Sequence, residues 1–305
     1  MTASEKKLGG RMQAQDFVAE QFEQNRSRLR GVAFRMLGSL SEADDAVQEA
    51  WLRLSRSDAD GIENLGSWLT TVVSRVCLDM LRSRKSRREE SIETQPSAPA
   101  APRASDPEHE AIMADSVGVA LLVVLDRLAP AERLAFVLHD LFGFAFDEIA
   151  KVLGRSEMAT RQLASRARRK VQGGSVGSLE AAKEQDERAE LVRHLIAALR
   201  AGDVQGMVAV LDPNFVLRVD EASMVPGGQR EIHGAEVWAR QAVVFAKGAR
   251  FVEPVLVDGV PGMLLAPHGR LMRALRFTFA NGKIAGIEVI GERARLRELE
   301  LAIIE

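Results

Sequence analysis

The residues best suited to chemistry lie in FDEIAKVLGRSEMATRQLASRARR, Phe146–Arg169, where a short apolar helix pattern, a glycine stop and an arginine-rich second helix follow one another. Ile149, Ala150, Val152 and Leu153 give the first helix an apolar side. Gly154 supplies a left-handed stop, and Ser156 can cap the helix that follows. In that second helix Ala159, Leu163, Ala167 and Val171 recur every fourth residue and predict one buried stripe. Arg161, Ser165 and Arg168 fall opposite it, with Gln162, Arg166 and Arg169 on the flanks. Arginine pairs with guanine edges and glutamine with adenine, so such a helix suits the major groove of DNA. The remaining cations, including Lys170, would hold phosphates.

A second set of chemistry-bearing residues precedes it. In SEADDAVQEAWLRL, Ala46, Val47, Ala50, Trp51 and Leu54 predict a buried helix face and leave Asp44, Asp45, Gln48 and Glu49 as an exposed acidic patch. Gly38 ends the preceding helix, and Ser41 with Asp44 reads as a capping box. After a polar loop, Ser55–Ser67, comes a helix whose apolar positions are Trp68, Leu69, Val72, Val73, Val76, Met80 and Leu81. Thr71, Arg75, Asp79 and Arg82 lie on its other side, and Arg84, Lys85, Arg87 and Arg88 form a basic cluster able to hold a phosphate backbone. Two basic clusters on separate helical domains can grip two DNA segments at once.

The elements positioning these residues follow from composition. A chain of 305 residues is long enough for two or three domains. Its net charge of only −2 requires the basic segments to be balanced by acidic ones elsewhere. The one cysteine, Cys77, sits in an apolar helical pattern and excludes an internal disulfide. No signal peptide or membrane-spanning run is legible, so a cytoplasmic protein is expected. The organisation expected is a helical domain at 1–85, a Pro/Ala-rich linker at 86–110, a helix-turn-helix domain at 111–171, a Gly/Ser-containing linker at 172–185 and an α+β domain at 186–305. In the last, two amphipathic helices broken at Gly202 precede strand-like text at Phe215–Val219, a helix at Ala235–Phe245, and strands at Ala249–Val257, Gly262–Ala266, Leu271–Phe279 and Lys283–Ile290. Asn281–Gly282 predicts a hairpin turn.

The succession of SEADDAVQEAWLRL, WLTTVVSRVCLDMLRSRKSR, a loose linker and LDRLAPAERLAFVLHDLFGFAFDEIAKVLGRSEMATRQLASRARRKV closely resembles bacterial sigma factors of the extracytoplasmic-function class, over about the first 170 residues. The resemblance implies that the partners are core RNA polymerase and promoter DNA. It implies that Asp44, Asp45, Gln48 and Glu49 dock on the polymerase. Asn64, Thr71, Arg75, Asp79, Arg82, Arg84 and Lys85 would meet the downstream promoter element. Thr160, Arg161, Gln162, Ser165, Arg166, Arg168 and Arg169 would meet the upstream one.

The segment HLIAALRAGDVQGMVAVLDPNFVLRVDE and the strands after it resemble the SnoaL-like cone folds, which several sigma-factor groups carry at the C terminus. The implied role is regulation of the sigma domains by intramolecular contact. Asp220, Gly227, Gly228 and His233 are the candidates for a cavity or regulatory loop, and Asp220, His233 and His268 for acid–base work. None has a spacing that predicts catalysis, so an enzyme is not expected. No metal cluster, phosphate loop or nucleophile motif is legible, and no cofactor is expected. Two other readings fit the same text: a helix-turn-helix regulator responding to a small molecule in the C-terminal cavity, and an enzyme with its active site in the cone.

Overall fold

The computed structural model describes residues 3–57, 62, 64–90, 118–174, 178–224 and 230–304. These fall in two compact units, one within Met1–Arg103 and Leu128–Ala167, the other within Ala104–Arg127 and Arg168–Glu305.

The first unit is helical. Helix α1 (Ala3–Leu37) stops where Gly38 turns left-handed at φ 72° and its amide donates to the Phe34 carbonyl at 2.8 Å. The cap of α2 (Leu40–Arg56) is Ser39, whose Oγ accepts from Glu42 N at 3.5 Å, rather than the expected Ser41. The helix begins two residues earlier because Leu40 is itself buried and needs a place in the first turn. Ala43, Ala46, Val47, Ala50 and Leu54 line the buried side of α2. Asn64 Oδ1 accepts from Ser67 N at 3.0 Å at the entry to α3 (Leu65–Glu90). That helix runs five residues into the expected linker, through SRREE, which contains no proline or glycine. The rest of the linker, 91–110, lies outside the described residues, as do Asp58 and Asp60 of the loop before α3.

Helix α4 (Val119–Asp126) belongs to the second unit, whereas α5 (Pro130–Phe136), the wide turn Val137–Leu141, α6 (Phe146–Leu153) and most of α7 (Glu157–Gln172) belong to the first. The α6–α7 turn follows its text: Gly154 takes φ 63° and Ser156 Oγ accepts from Ala159 N at 3.2 Å.

The second unit is α+β. Helices α8 (Leu179–Ala201) and α9 (Val204–Val210) break at Gly202, φ 67°, where Asp203 caps α9 through Gly206 N at 3.0 Å. There follow β1 (Leu211–Val219), β2 (Glu231–His233), α10 (Ala235–Ala242), β3 (Val252–Val257), β4 (Val260–Leu265), β5 (Arg273–Ala280), β6 (Lys283–Ile290), α11 (Arg293–Glu298) and β7 (Leu301–Ile303). They form one mixed sheet ordered β2-β1-β6-β5-β4-β3-β7, in which only β1 and β6 run parallel. Asn281 and Gly282, both at positive φ (54° and 68°), make the β5–β6 hairpin, and Asp258 and Gly259 (52° and 78°) repeat the device between β3 and β4.

The space between α8–α10 and the sheet is occupied by Leu195, Met207, Phe215, Trp238, Met263 and Phe277. Phe215 and Trp238 pack with ring centroids 5.3 Å apart.

Candidate nucleic-acid interface

Helix α7 buries Leu163, Ala164, Ala167 and Val171 and presents Arg161, Gln162, Ser165, Arg166 and Arg169 to solvent, with Arg168 half-buried. Thr160 corrects the expected set: it is fully buried, and its Oγ1 donates to the Ser156 carbonyl at 3.0 Å. The buried stripe is wider than the every-fourth-residue pattern because the core takes the adjacent 160–164–167 line as well. Arg161 is pre-positioned. Its Nη2 meets Glu157 Oε1 at 2.5 Å and its guanidinium lies 4.6 Å from the centre of the Phe146 ring. The Glu157 pair is solvent-exposed, so it is weak enough for a phosphate or a guanine edge to displace.

On α2, Asp44, Asp45 and Gln48 are exposed and Glu49 half-buried. Arg30 forks onto Asp44 (Nε–Oδ1 2.7 Å, Nη2–Oδ2 3.0 Å), and Arg53 Nε donates to Glu49 Oε1 at 2.9 Å. Both pairs are partly solvated, leaving an acidic helix face open to a basic partner.

The face of α3 has a different environment. Arg75 Nη2 donates to the Lys151 carbonyl at 3.1 Å, and Ser67 Oγ donates to Glu148 Oε1 at 3.0 Å. Thr71 lines a small pocket with Ser67, Glu148 and Ile149. Arg75, Asp79 and Arg82 line a cleft of about 310 Å³ with Lys151 and Gly154 across from them. Asp79 and Arg82 lie 3.7 Å apart on the surface, and Asn64 is exposed. Helix α6 of the helix-turn-helix therefore touches this α3 face at Ser67, Thr71 and Arg75, while Asn64, Arg75, Asp79 and Arg82 stay exposed.

Arg84 also departs from expectation. It is half-buried, ion-paired to Glu42, and donates through Nη1 to the Leu37 carbonyl at 3.1 Å, which joins α3 to the α1–α2 corner. Those contacts withdraw it from the basic cluster, while Lys85 follows it on α3.

Sequence reasoning missed Arg133. It is 2% exposed, and its Nε donates to the Arg35 carbonyl at 3.0 Å, near the end of α1. Arg28 and Arg35 lie over the Phe144 and Phe142 rings, at 4.7 and 5.1 Å. Burial lowers the affinity of the Arg35 guanidinium for its proton. The text signal was faint: two phenylalanines in the LFGFAF loop have no place on a helical stripe.

In the second unit, Asp220 is a clasp for backbone. Its Oδ1 accepts from Ser223 N at 2.9 Å, and its Oδ2 from Gly291 N at 2.7 Å and Glu292 N at 2.9 Å. Burial alone would raise its carboxyl, but these hydrogen bonds prevail and hold it below the ordinary value. An acid fixed in its charged form by three amides is suited to holding a loop, not to exchanging protons. His233 is exposed, 3.6 Å from Glu231 Oε2. Gly227 and Gly228 lie outside the described residues. Among the described residues no helix is long and apolar enough to cross a membrane.

The chain matches Sigma-70 region 2 over residues 21–87 and Sigma-70, region 4 over residues 118–171. It is 41% identical over 218 residues to the ECF RNA polymerase sigma factor SigJ of Mycobacterium tuberculosis, covering 71% of this chain and 69% of that one. It is 34% identical over 295 residues to the probable ECF RNA polymerase sigma factor SigI of the same organism, covering 94% and 98%. The crystal structure of M. tuberculosis SigJ aligns with 91% of this chain and 98% of its own, at 31% identity and a TM-score of 0.43.

Proposed function

The chain belongs to the extracytoplasmic-function RNA polymerase sigma factors, and from that premise we propose a division of labour among its surfaces. As a sigma factor it binds core RNA polymerase, recognises the two promoter elements and initiates transcription. Asp44, Asp45, Gln48 and Glu49 on α2 dock on the polymerase. Asn64, Thr71, Arg75, Asp79 and Arg82 engage the downstream element. Arg161, Gln162, Ser165, Arg166, Arg168 and Arg169 on α7 read the upstream element, and the C-terminal α+β domain modulates the outcome.

One observation carries the reading beyond the family. The acidic face of α2 is open, while on the α3 face proposed for DNA Ser67 is held by Glu148 and Arg75 by the Lys151 carbonyl of α6, with Asn64, Asp79 and Arg82 exposed beside them. The free chain is thus a closed form that can dock on polymerase before it can open a promoter. The contacts closing it include two charge-assisted hydrogen bonds, Ser67 to the Glu148 carboxylate and Arg75 to the Lys151 carbonyl, which solvent can replace when polymerase binds.

The test is gel filtration of the chain with bacterial core polymerase, comparing wild type with the double variant Asp45→Arg, Glu49→Arg. A complex formed by wild type and lost in the variant supports the docking face. Equal binding of both would remove α2 from that role.

A further inference from the structure

The family match for region 4 begins at residue 118, yet α4 is not grouped with the helices that follow it. Every residue of α4 before Asp126 is apolar, in the run VALLVVL, and Leu122, Val123, Val124 and Leu125 are buried. The helix packs against β3, β7 and the turn Pro267–Gly269. Directly after it, Arg127 reaches the end of α11, where Nη2 donates to the Leu296 carbonyl at 2.7 Å and Nη1 to the Arg297 and Leu299 carbonyls at 3.3 Å each. These carbonyls are left without amide partners where a helix ends, and an arginine there satisfies them and meets the negative end of the helix dipole.

The receiving platform is itself held at both ends. Asp220 grips the Gly291 and Glu292 amides before α11, and Glu288 pairs with Arg276 and with Arg295 of α11. The exit of region 4 comes to the same strands. A methyl group on Gly173 would lie 3.2 Å from Leu256 Cδ1 and 3.5 Å from Ala302 Cβ, two residues paired across β3 and β7. The end of the sheet thus receives both the first helix of region 4 and the residue that follows its last.

We propose that the β3–β7 end of the C-terminal sheet is a docking site whose occupant is the first helix of region 4, latched by Arg127, and that this clasp restrains transcription. The inference rests on the sigma-factor reading. While α4 is clasped, the upstream-reading domain is divided: its first helix goes with the C-terminal unit, and α5, α6 and most of α7 go with the unit that contains α3. Releasing α4 lets region 4 assemble as one domain and leave α3.

The experiment uses the full chain with core polymerase and a promoter fragment selected from random DNA by the wild-type holoenzyme. Arg127→Met removes the three donated bonds and keeps an apolar stem. Arg127→Lys retains the charge without the fork and covers the case in which the first variant fails to fold. In the free chain, amide exchange across residues 121–126 should quicken about tenfold or more in Arg127→Met and less in Arg127→Lys. Transcription should rise in the same order. Unchanged exchange overturns the latch, and faster exchange without a rise in transcription overturns the restraint. A wild-type holoenzyme that selects no promoter instead removes the sigma reading on which the inference stands.

Discussion

Arg75 and Lys151 are joined by a 3.1 Å hydrogen bond from guanidinium to main-chain carbonyl, across 76 residues of sequence. A side chain assigned to promoter DNA is thereby held by the backbone of the helix-turn-helix. Ser67 and Glu148 make a parallel contact at 3.0 Å, at the N-terminal ends of α3 and α6. Two interactions of this size suit a reversible closure, since each contributes on the order of 1 kcal/mol net and neither is sealed from water.

The Ser67–Glu148 contact should appear as a coupling in the free chain. A double-mutant cycle of Ser67→Ala and Glu148→Ala, read by denaturant unfolding, should give about 1 kcal/mol of interaction. Strict additivity would place the contact outside the solution ensemble.

Arg133 should behave as a buried charge that cannot be removed cheaply. Arg133→Ala leaves the Arg35 carbonyl without its donor and a void beside α1, and should cost about 2–4 kcal/mol of stability in the first unit. Urea unfolding followed by Trp51 and Trp68 fluorescence measures this. A midpoint unchanged from wild type would show that the buried guanidinium contributes nothing.

The parts legible in the text are those set by neighbours along the chain. Gly154 and Ser156 wrote the helix-turn-helix, Gly202 and Asp203 the α8–α9 break, and Asn281–Gly282 the hairpin between β5 and β6. Errors arose where tertiary packing chose between adjacent options. Ser39 rather than Ser41 caps α2 because Leu40 is buried. Thr160 turns inward because the core takes a second line of α7. Strands β2 and β7 have three residues each, too few for an alternation to register. Arg84 reads as one of a basic cluster and Arg127 and Arg133 stand out in no local pattern, yet each serves a carbonyl distant in sequence.

Asp220 should make the second unit sensitive to acid. Its carboxyl is held below the ordinary value in the folded chain, so its contribution is present above the unfolded value of about 4 and is lost as pH falls through the lower folded value. Asp220→Asn should therefore lower Tm at pH 7, and the gap to wild type should narrow below about pH 4. A gap independent of pH between 7 and 3 would contradict a role for the charged form.

Cys77 should be silent toward thiol reagents in the native chain. It is buried, and burial pushes its thiol up to about 12, so almost no thiolate exists at neutral pH. An aromatic disulfide reagent at pH 8 should titrate it only after denaturation. Prompt reaction of the native protein would place Cys77 at a surface.

That silence allows the closed form to be trapped directly. With Ser67→Cys and Glu148→Cys introduced at positions whose native side chains meet at 3.0 Å, a short bis(methanethiosulfonate) linker, which forms a reducible disulfide with each thiol and releases sulfinate, should join α3 to α6 without touching Cys77. The linked chain should still bind core polymerase through α2 but fail to start transcription, and reduction should restore it. Undiminished transcription by the linked chain would contradict the closed form as the state that must open.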